Sequence, residues 1–157
     1  MEIGGNNKNY PGNVLSNFTA NRFVFQGVEC QSMEGFLQSL KFEKEHIQIE
    51  VCKFIGFAAK KRGKFKNWKQ NQTLYWKGIA YKRDSKEYQF LLDDAFDCLM
   101  CSSEKFRNAL KASGNAKLKH SIGKSKIQDT VLTEQEFCSR LEKLRNRLDG
   151  FNVNNFN

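Results

Sequence analysis

The sequence predicts one α+β domain, rich in helix, with a small β component near its start. Three observations carry this. Several segments repeat apolar residues at helical spacing and begin on residues suited to capping a helix, notably Ser32 and Thr133. One early segment, "RFVFQGVEC", alternates apolar and polar residues around a turn. The chain of 157 residues holds a single Pro and 11 Gly, too few for a loop-dominated or low-complexity chain, and is long enough to bury a core.

Taken in order, residues 1–12 are Asn- and Gly-rich and read as a flexible N-terminal segment ahead of a domain spanning 13–148. Gln26-Gly27 supplies the two-residue turn of a β-hairpin. Ser32 follows as the cap of a helix through "SMEGFLQSLKF", whose apolar side is Met33, Phe36, Leu37 and Leu40. A second helix is expected through "HIQIEVCKFIGFAAKKR", with Ile49, Cys52, Phe54, Ile55 and Ala59 on a broad apolar side, and "GKFKNWKQN" ends it. "SKEYQFLLDDAFDCLMC" predicts a helix buried over much of its circumference. "SSEKFRNALKASG" has a capping Ser in front and Gly114 behind. In "TEQEFCSRLEKLRNRL", Thr133 and Glu136 fit a capping box, and Phe137, Leu141, Leu144 and Leu148 form the core stripe. Residues 149–157 read as a second flexible tail, in which Phe151 or Phe156 is available to dock.

The net charge of +9 favours polyanionic partners: nucleic acid, nucleotides or an anionic surface. No apolar run is long enough to span a bilayer, and "MEIGGNNKNYPGN" lacks the apolar stretch of a signal peptide. Five Cys, an odd number, then fit reduced thiols in a cytoplasmic protein. Cys98 and Cys101 make a lone CxxC. A zinc site takes about four ligands, and no second pair stands at ligand spacing, so free thiols on a helix are expected and no metal or cofactor is.

Three features go beyond fold. Glu34, Gln38, Lys41 and Glu45 fall within about 60° of one another on a helix. The row reads either as a solvated, charge-paired face or, flanked by Leu37 and Phe42, as the polar lining of a pocket. "KKRGKFKNWK", residues 60–69, mixes Lys60, Lys61, Arg62, Lys64 and Lys66 with Phe65 and Trp68. That suits phosphate neutralisation with base stacking, and equally a solvated helix end. "SGNAKLKHSIGKSKIQD", residues 113–129, is an anion-binding loop or a solvated connector. Its "GKS" is not a P-loop, because the upstream Gly is missing.

Read together, "LSNFTANRFVFQGVECQSMEGFLQSLKF" resembles the opening of the NADAR family, the YbiA-like proteins related to NAD and ADP-ribose. Leu15, Ser16, Asn17 and Phe18 match its first motif and Gly27 its hairpin. Ser32, Glu34, Phe36, Gln38 and Lys41 match its helix in register. "LKASG" and "VLTEQEFCSRLEKLR" are similar to later segments, so the likeness spans residues 13–147. There are departures. Cys30 stands for the usual Tyr, Gly35 replaces the His after the Glu, and "KSKIQDTVL" occupies the place of a Trp-Gly segment.

The resemblance implies an N-glycosidase. Within the family the substrate is ADP-ribose on a guanine base or a phosphoribosylamino-pyrimidine of riboflavin synthesis. It assigns catalysis to Lys41 and Glu34, with Asp129 as a third candidate. Lys41 would attack ribose C1 and form a Schiff base, and Glu34 would stabilise the developing cation or move a proton. Ser16, Asn17, Phe18, Arg22, Ser32 and Gln38 are the candidate substrate-binding residues, and Lys60, Lys61, Arg62, Lys64, Lys66 and Trp68 the nucleic-acid contacts. The expected protein is a monomer that removes ADP-ribose from modified nucleobases in nucleic acid. Such an activity would suit defence against a DNA-modifying toxin or protection of a phage genome. The riboflavin-type glycosidase and a non-catalytic binding module are the alternatives.

Overall fold

The computed structural model describes residues 1–4 and 8–148. It shows one α+β domain with two separate antiparallel hairpins. The helices are α1 Gly12–Leu15, α2 Met33–Ser39, α3 Glu45–Val51, α4 Gly56–Gly63, α5 Lys86–Ser102, α6 Glu104–Ala112 and α7 Glu134–Asn146; the strands are β1 Phe23–Phe25, β2 Val28–Cys30, β3 Thr73–Trp76 and β4 Ile79–Lys82. None of these helices is long and apolar enough to cross a membrane.

The first hairpin forms where alternation places it. Phe23 pairs with Cys30 and Phe25 with Val28, all four buried, while Val24 and Glu29 face outward. Gln26 and Gly27 turn the chain with φ of 48° and 82°, the left-handed pair a two-residue turn needs. The second hairpin, unforeseen from the sequence, repeats the device at Lys77 and Gly78. The two turns are tied together. Trp76 Nε1 donates to Gln26 Oε1 at 3.1 Å, and Lys77 Nζ to the Gln26 carbonyl at 2.7 Å. Behind them Phe25, Phe36 and Trp76 pack with ring centroids 5.1–5.6 Å apart, joining both hairpins to α2.

Ser32 caps α2: its hydroxyl accepts from Gly35 N at 3.0 Å and donates to the Phe54 carbonyl at 3.0 Å. That second bond draws residues 51–54 onto α2, and Gly35 is the contact point. A Cβ there would lie 2.7 Å from the Phe54 oxygen and 3.2 Å from the oxygens of Val51 and Cys52. The residue that breaks the family pattern is therefore Gly because backbone fills the side-chain space. Gly35→Ala should cost about 1–3 kcal/mol through forced separation of the two segments, measurable as a lower urea midpoint.

The single helix expected over 46–62 is instead two. Residues 52–55 break it, and Gly56 has φ of 56°. Ile49 and Ile55 are consequently exposed rather than on a buried face. Helix α2 also stops at Ser39, and Lys41 sits in the tightened turn after it, its N–H bonded to the Gln38 carbonyl at 3.2 Å. Glu45 therefore begins another helix and leaves the polar row. Buried Gln48 fastens the turn to β3: Nε2 donates to the carbonyls of Phe42 and Tyr75, each at 2.8 Å, and Oε1 accepts from Lys77 N.

The caps predicted for the last two helices hold: Ser103 caps α6, Gly114 follows it with φ of 58°, and Thr133 and Glu136 form the capping box of α7. Ser85 caps α5, a role the sequence reading did not assign. The five cysteines are free thiols; Cys30, Cys52 and Cys138 are buried, whereas Cys98 and Cys101 are half-buried. Residues 1–4, placed by sequence in the loose leading segment, run beside residues 117–120. Ile3 is fully buried, and its N–H bonds to the Lys119 carbonyl at 2.8 Å. Phe151 and Phe156 lie outside the described residues.

Candidate active site

The polar row of α2 opens into a cleft of about 760 Å³. One wall is α2 with Ser16–Phe18 in front of it, the second is α4 and the basic segment after it, and the third is the connector from His120 to Leu132. The walls meet for local reasons. Glu34 N donates to the Asn17 carbonyl at 2.9 Å, which pins the "LSNF" segment to the start of α2. Helices α2 and α4 approach closely at Gly63, where an added methyl would strike Gln38 Oε1 and sit 3.2 Å from Lys41 Cδ. Phe18 meets Phe57 edge to face at 4.9 Å.

Glu34, Gln38 and Lys41 all line the cleft. Gln38 Nε2 donates to Glu34 Oε1 at 2.8 Å, while its own Oε1 is buried with no donor among the described residues. Burial raises the Glu34 carboxyl above its ordinary value; Gln38 and the charges of Lys41 and Lys60 offset part of this. Burial also pushes the Lys41 amine down to about 8, reinforced by Lys69, Lys124 and Lys60 and opposed by Glu34. At pH 7.5 about a quarter of Lys41 is then neutral, against about one part in a thousand for an ordinary lysine. An amine that is partly neutral is a nucleophile, and a carboxyl pushed upward can hold or give a proton.

Six lysines (Lys41, Lys60, Lys64, Lys66, Lys69 and Lys124) line the cleft against two carboxylates, Glu34 and Asp129. Phe57 and Phe65 are strongly exposed beside them, at 72% and 85%. A cationic rim carrying exposed aromatic rings attracts phosphates and offers surfaces for stacking.

Most sequence candidates converge here: Lys41, Glu34, Asp129, Ser16, Asn17, Phe18, Gln38, Lys60, Lys64, Lys66 and Trp68 all contribute to the lining. Four do not. Arg22 is on the outer hairpin, paired with Glu29 at 2.6 Å. Ser32 is fully buried and used up in capping. Arg62 pairs with Glu50 at 3.0 Å and lies over Phe42. Lys61 is exposed outside the cleft. Trp68 is buried at 6%, so Phe65, not Trp68, is the ring free to stack. The sequence reading missed Lys69, Lys124, Phe57 and His120. Their only signal was membership of basic or loop segments, with nothing to show which way they face.

The third wall rests on an ionic network. Arg83, 1% exposed, grips Glu136 with both nitrogens, at 2.6 and 3.1 Å, and Nε donates to the Thr130 carbonyl at 2.8 Å. Tyr88 Oη donates to the Val131 carbonyl at 2.6 Å. Gln89 bonds both Glu136 and Arg140, and Arg140 reaches Asp93 at 2.9 Å. Asp129 thus stands at the edge of a segment held by buried, charge-assisted bonds.

Residues 9–146 match the family described as Bacteriophage protein GP30.3. Over 150 residues the chain is 35% identical to the uncharacterized 17.1 kDa protein of the Gp30-rIII intergenic region of Enterobacteria phage T4, covering 94% of this chain and 98% of that one. The fold is similar to the NMR structure of the E. coli protein YbiA, with TM-score 0.62 and 18% identity, over 95% of this chain and 85% of that chain.

Proposed function

The chain belongs to the Bacteriophage protein GP30.3 family and has a YbiA-like NADAR fold, and on that footing we propose that it is an N-glycosidase that removes ADP-ribose from modified nucleobases, guanine foremost, in nucleic acid. The observation that carries this reading is the Glu34–Lys41 pair: a depressed amine and a raised carboxyl, seven residues apart in the chain, in one lysine-rimmed cleft.

In this reading neutral Lys41 attacks ribose C1. The bond from C1 to the base nitrogen breaks, its electron pair goes to that nitrogen, and Glu34 supplies the proton the nitrogen takes up. Opening of the ribose ring converts the adduct to a Schiff base, which water hydrolyses. The lysine rim neutralises the pyrophosphate and the neighbouring strand. Phe57 and Phe65 are the stacking surfaces, and Ser16 and Asn17, which line the same cleft, would hold ribose hydroxyls. A glycosidase of this kind would counter a base-modifying toxin or defence system.

The test is incubation with ADP-ribosylated guanine oligonucleotides and mass analysis of the products. Release of ADP-ribose with an intact base is expected. Turnover at low substrate should fall about 50-fold between 50 and 200 mM salt if four phosphates are engaged on a single strand. Salt-insensitive cleavage of a free phosphoribosylamino-pyrimidine, with the oligonucleotide untouched, overturns the substrate assignment. Binding without release of any product makes the protein a binding module instead.

A further inference from the structure

The cleft contains one imidazole that the Lys41–Glu34 chemistry does not use. His120 is half-buried and lines the cleft, and its Nδ1 lies 2.7 Å from the Ile3 carbonyl. A carbonyl oxygen only accepts, so Nδ1 carries the hydrogen and Nε2 of the neutral ring keeps its lone pair. Nε2 has no partner among the described residues, nor is it one of their buried unpaired atoms. It is therefore accessible, on a residue that lines the cleft.

The ring has close neighbours. Phe137 meets it edge to face at 5.3 Å, and the His120 N–H donates to Glu134 Oε1 at 3.0 Å. A Cβ on Gly4 would lie 3.2 Å from its Cε1, and one on Gly123 2.7 Å from its Cδ2. Two glycines thus give the imidazole its seat, and the buried Ile3 sets its tautomer. A seated ring with an accessible lone pair, on a residue that lines the cleft, fits proton transfer better than packing alone.

We propose that His120 is the proton acceptor for the release half of the reaction, a role that rests on the glycosidase reading above. Water adds to C1 of the Lys41-linked ribose: the oxygen–carbon bond forms, the π electrons of the iminium move to the Lys41 nitrogen, and the water's proton passes to Nε2. The imidazolium returns that proton to the nitrogen. The carbon–nitrogen bond then breaks with its pair on nitrogen, and the hydroxyl proton ends there too. ADP-ribose leaves as the aldehyde, Lys41 is an ammonium and His120 is neutral again.

The test is His120→Asn, whose side-chain amide can keep the bond to Ile3 but cannot take a proton. Pre-steady-state kinetics on an ADP-ribosylated oligonucleotide should show base released in a burst of about one per enzyme. Steady-state turnover should then run about 10²–10³-fold slower than wild type. Borohydride should trap more lysine adduct in the variant than in wild type. A burst slowed as much as the steady state, or a variant as fast as wild type, overturns the proposal. So does an Nε2–H tautomer in the wild-type imidazole ¹H–¹⁵N spectrum, a measurement that needs no variant to fold. If wild type itself cleaves nothing, the glycosidase reading falls, and this role with it.

Discussion

Lys41→Ala should reduce ADP-ribose release by about 10³-fold or more, with substrate affinity little changed, because it removes the proposed nucleophile and leaves five lysines in the lining. Lys41→Arg is equally inactive. A guanidinium keeps the charge but does not lose its proton in this range. The pH profile separates this from a binding effect. Since Lys41 is held at about 8 and must be neutral while Glu34 must carry its proton, wild-type kcat/KM is bell-shaped, with one limb set by Lys41. No variant lacking Lys41 shows that limb. A Lys41→Ala enzyme with wild-type turnover would falsify the assignment outright.

The same shift makes Lys41 a cost to the fold. Its amine binds a proton less tightly folded than unfolded, so the penalty is complete below about 8 and disappears as pH rises toward the ordinary lysine value. Lys41→Met therefore raises the thermal midpoint at pH 7 and loses most of that gain near pH 10, while abolishing activity.

Arg83→Ala lowers stability by about 3–5 kcal/mol, readable in urea unfolding. The loss comes less from the pair itself than from stranding Glu136. Burial alone would raise the Glu136 carboxyl, but bonds from Arg83, the Thr133 N–H and Gln89 outweigh it and hold the group below its usual range. Its contribution is complete at neutral pH and fades only as the solution is acidified below that range. Without Arg83 the charge stays half-buried and the Thr130 carbonyl loses its donor. Arg83→Met combined with Glu136→Gln should lose less than Arg83→Met alone, because no uncompensated charge remains. Equal loss in both would show that the network is not ionic in origin. The single variant also slackens the segment carrying Asp129, so activity should fall even where the protein stays folded.

The α2 side of the site was legible in the sequence because its determinants are local. Helical spacing put Glu34, Gln38 and Lys41 on one side, and Ser32 marked where the helix begins. What spacing could not show was whether that side met water, which depends on α4 arriving at Gly63 more than twenty residues later. Ser32 and Arg22 illustrate the converse. Both residue types suit phosphate or ribose, yet one is consumed by the Gly35 N–H and the Phe54 carbonyl, and the other by Glu29. The second hairpin had the same signal as the first, a two-residue turn ending in Gly, within "TLYWKGIAYK". The split between α3 and α4 was hidden because its apolar residues continue at helical spacing through the break. His120 had no signal beyond its place in the connector, since its tautomer is set by a carbonyl near the start of the chain.

That last bond joins residues 117 apart in sequence. A site closed by its most distant contacts is finished late. As the chain leaves the ribosome, α2 with its carboxylate and amine can form early, but the imidazole meets Ile3 only after nearly the whole domain is available. Unfinished chains therefore carry Lys41 without the group proposed to discharge it, and turnover becomes a report on completed synthesis and folding.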